Sequence, residues 1–155
     1  MYGDVGGPPT PANEPSRRGA PRRRLFQAAI LAEHAEHRTL DCLIRDIATG
    51  GAQLRLNPGD YAPQNAYLIN LMKRVAYPAV RVWQQGTLAG VSFEGGGWHC
   101  PGLPSELAFL DEIFVFGKLR QIARLSAQGM EIGAVLKACA VSRETHQRWQ
   151  ETFVF

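Results

Sequence analysis

The sequence predicts a chain that is mainly β with an α-helical C-terminus: six short antiparallel strands in a small barrel or sandwich, then three helices. Residues 25–94 carry short runs of alternating apolar side chains, separated by turns rich in Gly, Pro and Asn. From residue 105 the apolar residues recur at helical spacing instead. With 155 residues, 45% of them hydrophobic and 20% charged, the chain can bury a core.

The N-terminal part separates from the rest by composition. Residues 1–15 consist largely of Gly and Pro with little to bury, and we predict a disordered tail there. Residues 17–24 are rich in Arg, and residues 1–24 together carry the whole net charge of +3, because the rest of the chain is balanced. A basic arm indicates an anionic partner. It is either a solvated linker or a set of guanidinium groups that grip phosphates.

The predicted strands follow in order, each bounded by turn residues. A polar loop over residues 32–39 follows the first strand, and Asn57-Pro58-Gly59-Asp60 is a strong turn signal. Pro78 indicates an edge or a bulge in the fifth strand. We predict strands at residues 25–31, 40–47, 52–56, 65–71, 75–84 and 88–94.

A glycine pair, Gly50-Gly51, joins the second and third strands. Glycine at such a corner supplies a positive φ or lets the backbone approach a neighbour closely. After it, residues 52, 54 and 56 are apolar and residues 53 and 55 polar, so one face of the third strand is buried. We call the segment from Asp46 to Gly51 the corner.

Residues 98–104 are predicted to be a linker into the helical part. Ser105 is a candidate N-cap, and residues 107–116 form a wide apolar face that packs on the barrel or on a second copy of the chain, as a homodimer. Gly117 is expected to break this helix, and Gly129 to cap its continuation. Two further helices are predicted at residues 131–140 and 143–153, the last capped by Ser142.

Several function classes lack support in the sequence. No run of about 18 apolar residues and no apolar signal core occurs, so we expect no membrane association. The odd number of cysteines favours reduced thiols and a cytoplasmic location. His34, His37 and the pair His99-Cys100 lack the partners that a metal site needs, so we expect no metal site. No catalytic motif appears, and we do not expect an enzyme.

The arm and the corner together resemble a known family. Arg18 to Arg22 has the form RxxxR, and Asp46 to Gly51 has the form DxAxxG about two dozen residues later. This order resembles the PilZ domain family, whose signature is RxxxR followed by (D/N)xSxxG. The resemblance covers roughly residues 16–94 and extends to the last two strands.

The resemblance implies a six-stranded antiparallel barrel that binds cyclic di-GMP and needs no other cofactor. The arginines of the arm would clamp the phosphates and cover the guanine faces, while Asp46 and Gly51 would read a guanine edge. Closure of the arm would be a switch between disorder and order. The candidate ligand-binding residues are Arg17, Arg18, Arg22, Arg23, Asp46, Ala48 and Gly51.

Ala48 is a departure from the family signature, which has Ser at this position. A methyl group cannot donate a hydroxyl hydrogen bond, which corresponds to a loss of about 0.5–1.5 kcal/mol, or roughly threefold to tenfold in affinity. The neighbouring Thr49 is a poor substitute, because adjacent side chains in an extended segment point to opposite faces.

Residues 132–149 resemble the helix-turn-helix of transposase-type DNA-binding proteins. Its second helix would enter the major groove, and Lys118, Arg120 and Arg124 of the preceding helix would contact phosphates. Ala140 stands where the pattern usually has Gly, and His146 where it usually has an apolar residue. Val135, Leu136, Val141 and Trp149 are the predicted core, and Arg143, Glu144, Gln147 and Arg148 the predicted DNA-facing residues.

The combined prediction is a cytoplasmic signalling protein with four segments. They are a tail at residues 1–15, a PilZ-like barrel with its Arg arm at 16–97, a linker at 98–104 and a helical unit at 105–155 that passes on the ligand state. Two alternatives stay open: a transcriptional regulator that binds DNA through the helix-turn-helix, and a degenerate barrel that only contacts proteins.

Overall fold

The computed structural model describes residues 23–36 and 38–152, with side chains from residue 26 onward. It confirms the predicted fold class: a closed, six-stranded antiparallel β-barrel is followed by three helices. The strands are β1 (Arg23–Glu33), β2 (Thr39–Ala48), β3 (Gly51–Leu56), β4 (Asn65–Asn70), β5 (Val75–Gln85) and β6 (Leu88–Phe93). They lie in the order β4-β1-β2-β3-β6-β5, and pairing of β4 with β5 closes the barrel.

The barrel interior follows from the period-2 pattern of the strands. In β1, Ala29 and Leu31 point inward, and in β3 the inward residues are Ala52, Leu54 and Leu56, as the alternation predicts. Many inward positions hold alanine, so the enclosed space is narrow and filled by small side chains. The barrel interior is therefore a core packed with side chains.

Pro78 lies inside β5 without making it an edge strand, contrary to the prediction. It is opposite Tyr67 of β4, and its carbonyl accepts a hydrogen bond from Glu94 N–H on the other side. The nitrogen and carbonyl of one antiparallel residue point to the same side, so the missing N–H faces the end of the β6 ladder. The bulge in β5 lies farther along, between Arg81 and Trp83.

The segment after β6 contains more order than a linker. Residues 98 and 99 form a short strand, β7 (Trp98–His99), which pairs with the start of β5. A 3-10 turn (Ser105–Leu107) then leads into the first helix, and Ser105 makes no side-chain capping bond there. Instead, the Asp111 carboxylate accepts hydrogen bonds from the backbone N–H groups of Gly102 and Leu103.

The three helices are α1 (Ala108–Ala127), α2 (Ile132–Ala138) and α3 (Arg143–Thr152). Gly117 was predicted to break the first of them, and this prediction is wrong. An ideal Cβ on Gly117 would lie 2.6 Å from Ile30 Cδ1 and 3.1 Å from Leu71 Cδ2. The glycine therefore serves close packing of α1 on the barrel, while helical hydrogen bonds continue through it.

The apolar face at residues 107–116 packs on the barrel, which was one of its two predicted locations. Leu110, Phe114 and Val115 are buried in one cluster with Ile30 and Ile69, which point outward from β1 and β4. The same cluster includes the cores of α2 and α3. The outer face of the barrel and the helices thus share one hydrophobic cluster, distinct from the cluster inside the barrel.

Candidate functional site

The corner is a tight hairpin in which Thr49 and Gly50 connect β2 to β3. Ala48 lies opposite Gly51 at the end of the ladder, and Gly51 is in turn opposite Ser92 of β6. A Cβ on Gly51 would clash with the Val91 carbonyl oxygen. Of the two roles predicted for the glycine pair, Gly51 has the close approach, so it packs the corner tightly against β6.

A bulge just before the corner displaces Arg45 from the ladder. Ile44 is opposite Leu54 and Asp46 is opposite Gln53, so Arg45 is the extra residue. The strand β1 is irregular at the same level, between Arg24 and Gln27. Because Leu54 points into the barrel, Asp46 and Gln53 lie on its outer face, where a ligand can reach them.

The first strand begins directly beside Asp46. Arg24 is opposite Asp46, and Arg23 is opposite Ile47. The two arginines of the arm whose backbone is described, Arg23 and Arg24, therefore lie beside the corner.

Most of the predicted ligand-binding arginines cannot be located in the structure. Arg17, Arg18 and Arg22 lie outside the described residues, and only the backbone of Arg23 is described. Asp46 and Ala48 lie near the end of β2, and Gly51 begins β3 across the hairpin. Ala48 is half-buried there and carries no hydroxyl group.

Two further residues lie on the same outer surface, and the sequence analysis gave neither a role. Phe26, in the irregular part of β1, is 69% exposed although it is aromatic. Gln53 brings an amide group opposite Asp46. An amide offers both a donor and an acceptor, and an exposed ring offers a stacking surface. Neither residue has a local signal in the sequence, because their positions follow from the pairing of β1 with β2 and of β2 with β3.

Residues 132–149, which resemble a helix-turn-helix in sequence, form the helix α2, a short turn and most of the helix α3. The four predicted core residues, including Trp149, are at most 5% exposed, and the Trp149 ring packs edge-on against Phe114. Ser142 caps α3, as predicted, by accepting a hydrogen bond from Thr145 N–H. The four residues predicted to face DNA are exposed to solvent: Arg143, Glu144, Gln147 and Arg148.

The phosphate contacts predicted for α1 are corrected by the structure at Lys118. Its side chain is fully buried, and the Nζ atom donates a hydrogen bond to the Cys139 carbonyl at 2.5 Å. Burial, together with the nearby charge of Arg74, lowers the pKa of Lys118 to about 8. Lys118 stabilises the end of α2 and cannot contact DNA.

A second cation binds the same helix end from the barrel. Arg74, in the β4–β5 connection, donates a hydrogen bond to the Ala140 carbonyl at 2.5 Å. Both residues adopt a left-handed backbone, with φ of 60° at Arg74 and 57° at Ala140. Ala140 therefore occupies the conformation that favours the glycine usual at this turn.

Comparisons with known proteins do not place the chain in a family. No protein-family model matches it, and a search of curated proteins finds no match. In the part of the chain that the structure describes, no helix is both long and apolar enough to cross a membrane. Within that part, no three His, Cys, Asp or Glu side chains are grouped to hold a metal ion.

Proposed function

We propose that the corner binds cyclic di-GMP and that the chain is a PilZ-like sensor of this nucleotide. The observation that carries the proposal is the pairing of Arg24 with Asp46 across β1 and β2. The strand β1, which follows the RxxxR segment in the chain, therefore begins opposite Asp46 of the DxAxxG segment. The sequence joins the two halves of the signature through this strand.

The chemistry of the corner suits a guanine base with an attached phosphate. The Asp46 carboxylate can accept hydrogen bonds from the ring N–H and amino group of guanine, and the Gln53 amide can add another. Gly51 contributes by its close approach to β6, which sets the shape of the corner. The arginines of the arm supply the planar, bidentate donors that phosphates prefer.

Calorimetric titration with cyclic di-GMP tests this function. We expect binding by the full chain, and its loss in Asp46→Ala and in the double variant Arg18→Ala/Arg22→Ala. The double variant Arg143→Ala/Arg148→Ala removes the same charge from α3 and should bind normally. No heat at hundreds of micromolar ligand, or equal losses in both double variants, would contradict the proposal.

Ala48→Ser should tighten cyclic di-GMP binding, because it restores the hydroxyl donor of the signature. We expect a gain of roughly threefold to tenfold, the usual value of one additional hydrogen bond. Gly50→Ser is the matched control, since a side chain there meets no atom within 4 Å and lies outside the signature position. A gain in both variants, or in neither, would count against a specific role for position 48.

DNA binding by α3 is the second candidate function. The observation that favours it is the exposure of Arg143, Glu144, Gln147 and Arg148 on one helix whose Trp149 is buried. Such a helix can present polar side chains to base edges. Lys118 does not add to the positive charge of this surface, because it is buried.

Fluorescence anisotropy with labelled duplex DNA tests this second function. We expect an affinity that falls steeply as salt is raised, and a loss in Arg143→Ala/Arg148→Ala. Lys73→Ala, on an exposed barrel turn, serves as the control. Absence of binding to both genomic and random DNA at low salt would rule out DNA binding by α3.

A further inference from the structure

A groove of about 330 Å³ lies between α1 and the outer face of the barrel, away from the corner. Its barrel side includes Leu43 of β2 and Arg55 of β3, which are directly opposite each other. Its helix side includes Gly117, Arg120 and Arg124. The close approach of α1 at Gly117 makes one wall of the groove apolar, while its rim carries charge.

The charges on this rim are unbalanced. Arg55, Arg120 and Arg124 line the groove together with a single carboxylate, that of Asp41. Arg120 and Arg124 are one helical turn apart, so they lie on the same face of α1. Like charges repel, and this repulsion is stronger beside an apolar wall than in open water. Three guanidinium groups around one small groove therefore favour an anion between them.

Only one of the three arginines is engaged by the carboxylate. Arg120 Nη2 lies 2.9 Å from Asp41 Oδ1, and both side chains are about half exposed. Among the described residues, neither Arg55 nor Arg124 has an ion-pair partner. Asp41 is thus placed to compete for Arg120 with any anion that enters.

The size of the groove limits the ligand. Ligand pockets commonly measure about 300–1,000 Å³, so this one is at the lower end and suits a small molecule. Guanidinium groups bind phosphate oxygens in bidentate fashion, which gives phosphate an advantage over a spherical anion. Asp46 is three residues along β2 from Leu43, about 10 Å away, so the groove and the corner are separate sites on one surface.

We propose that this groove binds a small phosphate-bearing anion, with Arg55 and Arg124 as direct ligands and Arg120 recruited from Asp41. The proposal does not depend on cyclic di-GMP binding at the corner. It assigns opposite roles to neighbouring residues: two arginines hold the anion, and one carboxylate opposes it.

Calorimetry with inorganic pyrophosphate at constant ionic strength tests the proposal on the full chain. We expect Arg55→Gln and Arg124→Gln each to weaken binding by about tenfold or more, as for loss of a charged hydrogen bond. Asp41→Asn should strengthen it by about twofold to fivefold, because it releases Arg120 from an exposed ion pair. Arg148→Gln makes the same charge change on α3 and should leave binding unchanged.

Amide NMR signals give the location of binding and guard against misfolded variants. In the wild-type chain, pyrophosphate should shift the signals of Leu43 and Gly117 and leave that of Gly51 in place. No binding, weaker binding by Asp41→Asn, or equal losses in Arg124→Gln and Arg148→Gln would overturn the proposal. Shifts spread over every arginine-rich surface, or seen only with an acidic peptide, would also overturn it. Asp46→Ala should still bind pyrophosphate, so this test succeeds or fails independently of cyclic di-GMP binding at the corner.

Discussion

The methyl group of Ala140 adds conformational strain to the turn between α2 and α3. Its φ of 57° lies in the left-handed region, where a Cβ meets the following carbonyl oxygen at a cost of about 1–2 kcal/mol. The carbonyl of the same residue accepts the hydrogen bond from Arg74. The strained conformation is therefore held from the barrel side.

Ala140→Gly should stabilise the protein. The relief of left-handed strain exceeds the extra chain entropy of glycine, which is about 0.5–1 kcal/mol, so we expect a net gain of about 0.5–1 kcal/mol. Urea unfolding followed by circular dichroism measures it. Ala134→Gly, at an exposed position inside α2, should instead lose about 0.5–1 kcal/mol. A loss at both positions would contradict the argument.

Lys118 should make stability depend on pH above neutrality. Its pKa is about 8 in the folded chain and 10.5 in the unfolded chain, so between these values the unfolded chain binds more protons. The free energy of unfolding contributed by Lys118 therefore rises as the pH increases from about 8 to 10.5. Below pH 8 both the folded and the unfolded chain bind this proton, and the contribution of Lys118 to the free energy of unfolding is at its lowest.

Comparison with Lys118→Met isolates this effect from other titrating groups. The stability difference between wild type and variant should move in favour of the wild type as the pH rises from 7 to 10. Lys137→Met removes an exposed lysine of α2 and should show a flat difference. A flat difference for Lys118→Met as well would refute the assigned pKa.

At the scale of elements, α1 is positioned by its closest contact with the barrel. Gly117 lies against Ile30 and Leu71, and the same approach forms the groove lined by Arg120 and Arg124. A helix residue that was predicted to be a break is thus the point of tightest packing. The position of α1 should be sensitive to the size of this one residue.

Gly117→Val should destabilise the protein by about 1–3 kcal/mol, as expected for overpacking. Ala123→Val adds a β-branched side chain at an exposed position of the same helix and controls for helix propensity. Thermal unfolding of both variants provides the comparison. Equal effects in the two would mean that Gly117 is not packed as described.

The strands and α2–α3 could be predicted because their signals are local. Alternation, turn residues and the Ser142 cap each act within a few positions, and the structure confirms them. Gly117 and Lys118 were misjudged because their environments come from residues far away in the chain, such as Ile30 and Cys139. A propensity or a charge in the sequence does not reveal such tertiary contacts.

In the candidate site, too, the residues encoded by a local motif were predictable and those that depend on distant contacts were not. Asp46, Ala48 and Gly51 form one local motif, and their common position at the corner was predictable. The irregularity that exposes Phe26 depends on the pairing of β1 with β2, which no local pattern specifies. The groove at Arg55 was missed for the same reason, since its walls come from the barrel and from α1.

At the scale of the whole molecule, two layers of apolar side chains share the strand β1. Its residues alternate between the barrel interior, where Leu31 packs, and the helical layer, where Ile30 packs. Neither layer can separate without exposing one face of this strand. We therefore expect the barrel and the helices to unfold as one cooperative unit.

The cysteines report on this cooperativity. Cys42 is in the barrel core and Cys139 in the helical layer, and burial raises the pKa of Cys42 to about 12 and that of Cys139 above its usual value. We expect both thiols to be unreactive toward a thiol reagent in the folded chain at pH 8. Under increasing urea they should become reactive at the same midpoint, as followed by mass spectrometry of labelled peptides. Earlier labelling of Cys139 would show that the helical layer opens by itself.

For the proposed binding of cyclic di-GMP, the pairing of Arg24 with Asp46 has a consequence for the affinity of ligand capture. Whatever the preceding arginines contribute at the corner is tethered there, so they act at an effective concentration that does not depend on protein concentration. Because the entropic cost of closing a flexible tether grows only with the logarithm of its length, a Gly-Ser spacer before Arg23 should weaken capture gradually. The same arginines supplied as a free peptide would lose that advantage altogether.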